Sequence, residues 1–174
     1  MTDEAYRAAT PEALSLLSVA LDPAVPRPEA RARLMAAIDG PRRYLPFARE
    51  LAAHFDLPWE RVCSLLARID GAEGWTRGVA PILGFLHFRP GPGLPSLHGG
   101  FVRMQSGTGF PLHRHRDREL TFVLEGALMD GEGQCYGPGQ ALEMPPGSAH
   151  ALRVVEGEDA LVALLHGKIE MLGQ

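Results

Sequence analysis

The sequence predicts a mainly β protein: a single antiparallel β-barrel of the jelly-roll type, preceded by a short helical N-terminal region. Two observations support this prediction. In residues 1–75 apolar residues recur at helical spacing and glycines are few. In residues 76–174 short apolar segments alternate with Gly and Pro turns. We therefore expect a helical region over 1–75 and the barrel over 76–174.

Four short amphipathic helices are expected before residue 75. The first starts at Thr10-Pro11, and a proline-rich linker, Asp22–Pro28, follows it. The second closes at Gly40, the third starts near Pro46, and the fourth runs from near Pro58 to Gly71. Their apolar stripes contain, in order, Leu14, Leu17 and Leu21; Leu34 and Ile38; Phe47, Leu51 and Phe55; Val62, Leu65, Leu66 and Ile69. Helices this short need a partner surface to be stable.

Eight strands are expected after residue 75, and several are apolar on both faces. They are Ile82–Arg89, Gly100–Gln105, Pro111–His115, Glu119–Glu125, Ala127–Asp130, Gln140–Pro145, Ala149–Val155 and Ala160–Ile169. In Glu119–Glu125, Val123 falls on one face and Leu120, Phe122 and Leu124 on the other. The outer face must then be covered as well, by the helical region or by a second barrel in a homodimer.

Three histidines and a glutamate lie in two glycine-punctuated segments. The first segment contains Gly107, His113, His115, Glu119 and Gly126, and the second contains Gly139, Pro145, Gly147 and His150. Side chains alternate along a strand, so His113 and His115 project to the same side, and Glu119 joins them if the strand continues. His150 then comes from a neighbouring strand, after a turn at Pro145–Gly147.

Three imidazoles and one carboxylate suit a divalent ion such as zinc, manganese, iron, nickel or copper. We predict one ion per chain at His113, His115, Glu119 and His150, with zinc as the first candidate. The remaining histidines are not assigned to the metal; they are His54, His87, His98 and His166. The sequence contains no paired carboxylates, Ser-His-Asp set or phosphate-binding glycine loop, so no catalytic residue is assigned and any chemistry would come from the ion.

The two segments match the two conserved motifs of the cupin superfamily, which the chain resembles from Gly107 to His150. The resemblance implies a metal inside the barrel. A helical region followed by one such barrel is also similar to the ChrR-type anti-sigma factors, in which a helical domain grips a sigma factor and a metal-bound cupin domain governs signalling. In those proteins the helical domain holds zinc through a His and a C-x-x-C pair, whereas residues 1–75 here contain only His54 and Cys63.

Two functions follow from these resemblances. The first is a non-enzymatic sensor or regulator, with a sigma factor as partner of the helical region and a small molecule as ligand at the metal. The second is a small metal-dependent enzyme, an oxygenase, isomerase or lyase, because cupins often use such a site as an open iron, manganese or nickel centre. We expect a homodimer in either case.

Charge and composition argue against other partners. The net charge is -4, and residues 1–75 hold nine Arg and no Lys against eleven acidic residues, so a nucleic-acid surface is not expected despite a faint helix-turn-helix rhythm over Glu50–Ile69. No apolar run reaches the roughly 20 residues of a membrane helix, and the acidic N-terminus does not resemble a signal peptide. Two unpaired cysteines, Cys63 and Cys135, suit a reducing compartment, so a cytoplasmic protein is expected.

Overall fold

The structure, a computed structural model, describes residues 27–40, 42–78 and 81–172. Contacts divide the chain into two compact units, one ending at Asp39 and the other beginning at Gly40. In the first unit the described residues form helix α1, Pro28–Asp39, which confirms the second predicted helix. The first predicted helix, and the predicted linker up to residue 26, lie outside the described residues.

Two further helices open the second unit. A 3₁₀ turn, Leu45–Phe47, leads into α2, Ala48–Phe55, and α3 spans Trp59–Leu66. Asp56 caps the end of helix α2, and its φ of 54° is the left-handed conformation that closes many helices. Helix α3 is shorter than predicted, because Ile69 lies in the turns that follow it, although its side chain is still buried. None of the helices among the described residues is long and apolar enough to cross a membrane.

The described residues form eleven strands, three more than predicted. They are β1 Trp75–Arg77, β2 Ile82–Phe88, β3 His98–Met104, β4 Gly109–His115, β5 Glu119–Glu125, β6 Leu128–Asp130, β7 Cys135–Tyr136, β8 Ala141–Met144, β9 Ala149–Val154, β10 Ala160–His166 and β11 Ile169–Met171. Strands β1 and β7 are too short to show a sequence period. The last predicted strand is divided into β10 and β11, which belong to different sheets.

The strands form two antiparallel sheets, which confirms the predicted mainly β fold. One sheet has six strands in the order β1-β2-β3-β10-β5-β8, and the other has five in the order β11-β4-β9-β6-β7. From β3 onwards, consecutive strands lie in opposite sheets, as β4 and β5 do, except for β6 and β7, which share the five-stranded sheet. A hairpin at Asp130–Gly133 joins β6 to β7, and the Asp130 carboxylate accepts hydrogen bonds from the backbone N–H groups of Glu132 and Gln134, both at 2.9 Å.

Each face of the six-stranded sheet has its own apolar core. The inner core contains Val102, Met104, Val123, Leu128, Leu152, Val154, Ala160 and Val162. The outer core joins Phe101, Leu120, Phe122 and Leu124 to side chains of α2 and α3, among them Leu51, Phe55, Val62 and Leu65. The alternation predicted for β5 is therefore confirmed, and the helices cover the outer face. The homodimer, which would offer a second covering surface, stays a prediction.

Arg43 ties the start of the helical segment to the barrel. Its guanidinium donates two hydrogen bonds to the Asp70 carboxylate, at 2.7 and 2.6 Å, and a third from Nε to Glu125 Oε1 at 2.8 Å. The Tyr44 hydroxyl donates to the same Glu125 oxygen at 2.6 Å. Helices α2 and α3 belong to the same compact unit as the strands, and the division predicted between residues 75 and 76 from composition remains a prediction.

Glycine is required at specific points of this fold. Four glycines of the two sequence segments lie just before or after a strand and have positive φ. The φ values are 67° at Gly107, 69° at Gly126, 83° at Gly139 and 85° at Gly147. Other residues adopt this left-handed region at a cost, so these turns explain the glycine punctuation.

Candidate metal centre

Two adjacent strands of the five-stranded sheet supply the three histidines. His113 and His115 lie on β4, and His150 lies on β9 directly opposite His113 in the antiparallel register. The turn before β9 is held against the end of β4: the Gly147 N–H donates to the His115 carbonyl at 2.7 Å, and the His115 N–H donates to the Ser148 carbonyl at 2.9 Å. The turn thus fixes where His150 enters the barrel, on the neighbouring strand that the sequence predicted.

Glu119 reaches the histidines from the opposite sheet. Strand β4 ends at His115, and Glu119 begins β5 in the six-stranded sheet. The condition on which the sequence placed Glu119 with the histidines, a strand that continues past His115, is therefore not met. Residues 116–118 form a bend between the two sheets, and the Lys168 N–H donates to the Asp117 carboxylate at 3.0 Å within that bend. The cluster consequently joins both sheets.

The four side chains predicted as ligands lie together in the barrel interior. One ligand atom from each lies within 4.8 Å of the others. His113 Nε2 is 3.2 Å from His150 Nε2, Glu119 Oε1 is 3.5 Å from His150 Nε2, and Glu119 Oε2 is 3.4 Å from His115 Nδ1. All four residues are buried, with at most 8% of any of them exposed. The cluster is compact enough for one ion.

Neighbouring groups orient two of these side chains. His113 Nδ1 lies 2.8 Å from the Pro111 carbonyl, which can only accept, so Nδ1 carries the hydrogen and Nε2 keeps its lone pair. The Thr121 hydroxyl donates to Glu119 Oε1 at 3.3 Å. Such contacts from a carbonyl or a hydroxyl are typical of the groups that orient metal ligands.

The nitrogen and oxygen atoms of the cluster are arranged to bind a cation rather than to form a complete set of hydrogen bonds with one another. Two ring nitrogens that face each other at 3.2 Å, as in His113 and His150, need a proton or a cation between them. Two further buried ring nitrogens, His115 Nε2 and His150 Nδ1, have no hydrogen-bond partner among the described residues. Buried polar atoms without partners are uncommon. An ion at the cluster could satisfy at most one of these two, His115 Nε2, because His150 faces the cluster through Nε2 and its Nδ1 lies on the other side of the ring.

The protonation states also suit a metal. Burial lowers the pKa of His113 and of His115 below the ordinary value, which favours the neutral imidazole. Burial alone would raise the pKa of Glu119, but the hydrogen bond with His150 and the nearby histidines more than compensate, so the pKa of Glu119 is lowered and the carboxylate is favoured. Neutral histidines and an ionised carboxylate are the forms that bind metal ions.

An apolar cavity of about 220 Å³ adjoins the cluster. Its walls are Ile82, Phe85, Val102, Met104, Phe110, His113, Glu119, Thr121, Leu152, Val162, Leu164, His166 and Ile169. Among these, His166 was not assigned to the metal from the sequence, and the sequence could not fix which face of its strand it occupies. Its parity with Val162 and Leu164 along β10 places it on the inner face, but that parity could be interpreted only once the strand's inner face was known.

Part of the chain matches a known protein family, and its fold resembles several solved structures. Residues 100–166 match the cupin domain family. A chain in the crystal structure of Rhodobacter sphaeroides SigE in complex with the anti-sigma ChrR is 19% identical, with a TM-score of 0.53, covering 89% of this chain and 75% of that one. An RmlC-like cupin protein from Ralstonia eutropha is 16% identical, with a TM-score of 0.52, covering 60% of this chain and 71% of that one.

An acetylacetone dioxygenase from Acinetobacter johnsonii is 10% identical, with a TM-score of 0.50, covering 59% of this chain and 74% of that one. At these identities the similarities to solved structures show the fold alone. A search of functionally curated proteins found no significant match.

Proposed function

Since residues 100–166 form a cupin domain, we propose that His113, His115, Glu119 and His150 hold one divalent metal ion in a ChrR-like, non-enzymatic sensor or regulator. The observation that carries the proposal is the convergence of four buried donor atoms within 4.8 Å. Zinc is the first candidate, and iron, manganese, nickel and copper are competent in the same set of nitrogen and oxygen donors.

Neighbouring residues of the chain orient the proposed metal ligands. The Pro111 carbonyl holds the hydrogen of His113 on Nδ1, and the Thr121 hydroxyl fixes one carboxylate oxygen of Glu119. The two sheets enclose the four side chains, which are nearly inaccessible to solvent, so bulk water is kept away from the site. A bound ion would supply a Lewis-acidic centre next to the apolar cavity.

The regulatory role is supported by the extent of one similarity. The chain similar to this one in the SigE–ChrR complex covers 89% of the present sequence, more than the 60% covered by the RmlC-like protein. A similarity of that extent cannot be confined to residues 76–174, so it includes part of the helical region. We propose that the helical region docks on a protein partner such as a sigma factor, in a cytoplasmic homodimer whose metal site receives a small-molecule signal.

Metal analysis tests the site. Protein purified without chelator or nickel affinity resin should contain close to one ion per chain, and Glu119→Ala and His115→Ala should each lower the metal affinity by at least about tenfold. Glu143→Ala is the matched control, since Glu143 is a half-exposed carboxylate on β8 whose ion pair with Arg118 lies outside the cluster. Unchanged metal affinity in both cluster variants would refute the metal site.

Affinity purification tests the partner. The full chain, recovered under mild conditions with its metal, should bring down a sigma factor. If the metal-loaded protein recovers no sigma factor and no other protein, the regulatory proposal fails while the metal site stands.

A metal-dependent enzyme, an oxygenase, isomerase or lyase, is the second candidate, and the cavity beside the cluster favours it. A pocket of about 220 Å³ that includes His113 and Glu119 in its wall would bring a small substrate to the ion. Electron paramagnetic resonance of iron-, manganese- or copper-containing protein would support this function if the signal shifted on adding a substrate. Native zinc with no exchangeable ligand would exclude the oxygenase.

A further inference from the structure

The cavity has one titratable wall residue outside the metal cluster and its hydroxyl partner. Among the described residues that line it, Thr121 donates its hydroxyl hydrogen to Glu119, and the others apart from His113, Glu119 and His166 are apolar. His166 is half-buried, and its neighbour in the wall, Ile169, is 38% exposed, so this part of the wall reaches solvent. His166 therefore stands where a ligand would enter and where a polar group on that ligand would find its partner.

Strand register places His166 beside the cluster. Leu165 on β10 pairs with Leu120 on β5, so His166 comes one residue further, alongside Glu119 at the start of β5. Val162 and Leu164 share its inward face and also line the cavity. The ring of Phe85 lies edge-on to His166 with the centroids 6.1 Å apart, and the His98 ring is 5.7 Å away.

The backbone fixes which nitrogen of His166 is free. His166 Nδ1 lies 3.1 Å from the Gly167 carbonyl, which can only accept a hydrogen bond. In the neutral ring Nδ1 therefore carries the hydrogen, and Nε2 on the other side of the ring has a lone pair. Away from the metal cluster and Thr121 the wall is apolar apart from His166. An accepting nitrogen in that part of the wall selects ligands that bring a hydrogen of their own and disfavours those that bring only lone pairs.

The cavity size limits the ligand. A cavity of about 150 Å³ in another protein holds benzene, so about 220 Å³ has room for one six-membered ring with a short polar substituent. We propose that this cavity binds a small hydroxyl compound with a single-ring apolar body, such as a phenol, whose O–H donates to His166 Nε2 while its oxygen faces the cluster. His166 is then a specificity-determining residue, and the inference rests on the proposed metal centre for the position of that oxygen.

Phenol and anisole form the matched probe pair, because the methyl ether keeps the ring and the oxygen but has no hydrogen to donate. Dissociation constants would be measured by ligand-observed NMR on full-length, metal-loaded protein. We expect phenol to bind roughly tenfold more tightly than anisole, the value of one hydrogen bond in an apolar site. The preference should vanish in His166→Phe and persist in His98→Phe, which makes the same substitution at an exposed neighbour outside the cavity wall.

Equal binding of phenol and anisole, no binding of either, or a preference that survives His166→Phe would overturn the inference. Metal content measured on the same samples separates this result from a failure of the proposed function. A sample that takes up no metal contradicts the metal centre, whereas a fully loaded sample without the phenol preference contradicts only the role of His166.

Discussion

His113 Nε2 and His150 Nε2 lie 3.2 Å apart across a registered pair of antiparallel strands, β4 and β9. Directly opposed residues in such a pair bring their side chains together on one face of the sheet. Here that geometry sets two imidazoles, both buried, in front of a carboxylate from the other sheet. In neutral rings one Nε2–H can donate to the other Nε2, and a cation held by both nitrogens and the carboxylate would take the place of that hydrogen. The convergence of these three donors with His115 is the physical reason for assigning the cluster to a metal.

The metal-free protein should lose stability as the pH falls below about 6.5. The pKa of His113 and of His115 is lowered by burial from that ordinary value, so below it the unfolded chain takes up protons that the folded chain excludes. The lowered pKa of Glu119 acts in the same direction below its ordinary value of 4.5. Thermal unfolding of chelator-treated protein between about pH 8 and pH 5.5 should show a falling melting temperature.

The double variant His113→Asn, His115→Asn should show a weaker pH dependence over the same range, since it lacks the two groups whose pKa is lowered. A melting temperature of the metal-free wild type that stays constant or rises towards acid would contradict the account of these two histidines.

Arg43→Ala should lower the free energy of unfolding by about 1 to 2 kcal/mol. The substitution removes three charge-assisted hydrogen bonds, to Asp70 and Glu125, but these carboxylates are partly exposed and water replaces part of the loss. Urea titration would measure the change. Arg42→Ala, at an exposed neighbour, is the control and should change stability by less than about 0.5 kcal/mol. Equal effects of the two substitutions would show that Arg43 does not tie the helical segment to the barrel.

Gly100→Ala should destabilise the protein by about 1 to 3 kcal/mol and displace Phe85 into the cavity. The Phe85 ring lies directly over Gly100, on the strand next to it, and a methyl group at Gly100 would collide with that ring. Urea titration and phenol binding would both report the change. Gly131→Ala is the control, because a methyl there meets nothing within 4 Å. Unchanged phenol binding in a destabilised Gly100→Ala protein would show that Phe85 moves away from the cavity.

The sequence predicted the four residues of the cluster but not the strand arrangement that brings Glu119 to the three histidines. Alternation along β4 and the turn before β9 were sufficient for His113, His115 and His150, since each lies in a strand with one inner face. For Glu119 the parity argument held only if the strand continued, and the chain changes sheets between His115 and Glu119, so alternation alone could not predict its position.

Other features depended on tertiary contacts. Helices α2 and α3 cover the outer face of β5 through packing between segments that are far apart in the chain. The sequence could indicate only that some surface must cover this face. Strands β1 and β7, of three and two residues, exist because a neighbouring strand pairs with them, and neither has enough residues for a period of two to be recognised.

X-ray absorption spectroscopy of the native metal tests the central claim most directly. For a zinc-loaded protein we predict first-shell scattering from nitrogen and oxygen atoms only, at about 2.0 to 2.2 Å, with the outer-shell pattern of three imidazoles. The imidazole contribution should fall by about a third in His150→Ala. Sulfur scattering at about 2.3 Å, which would implicate Cys63 or Cys135, or an ion with fewer than two imidazoles, would contradict the assignment of the cluster.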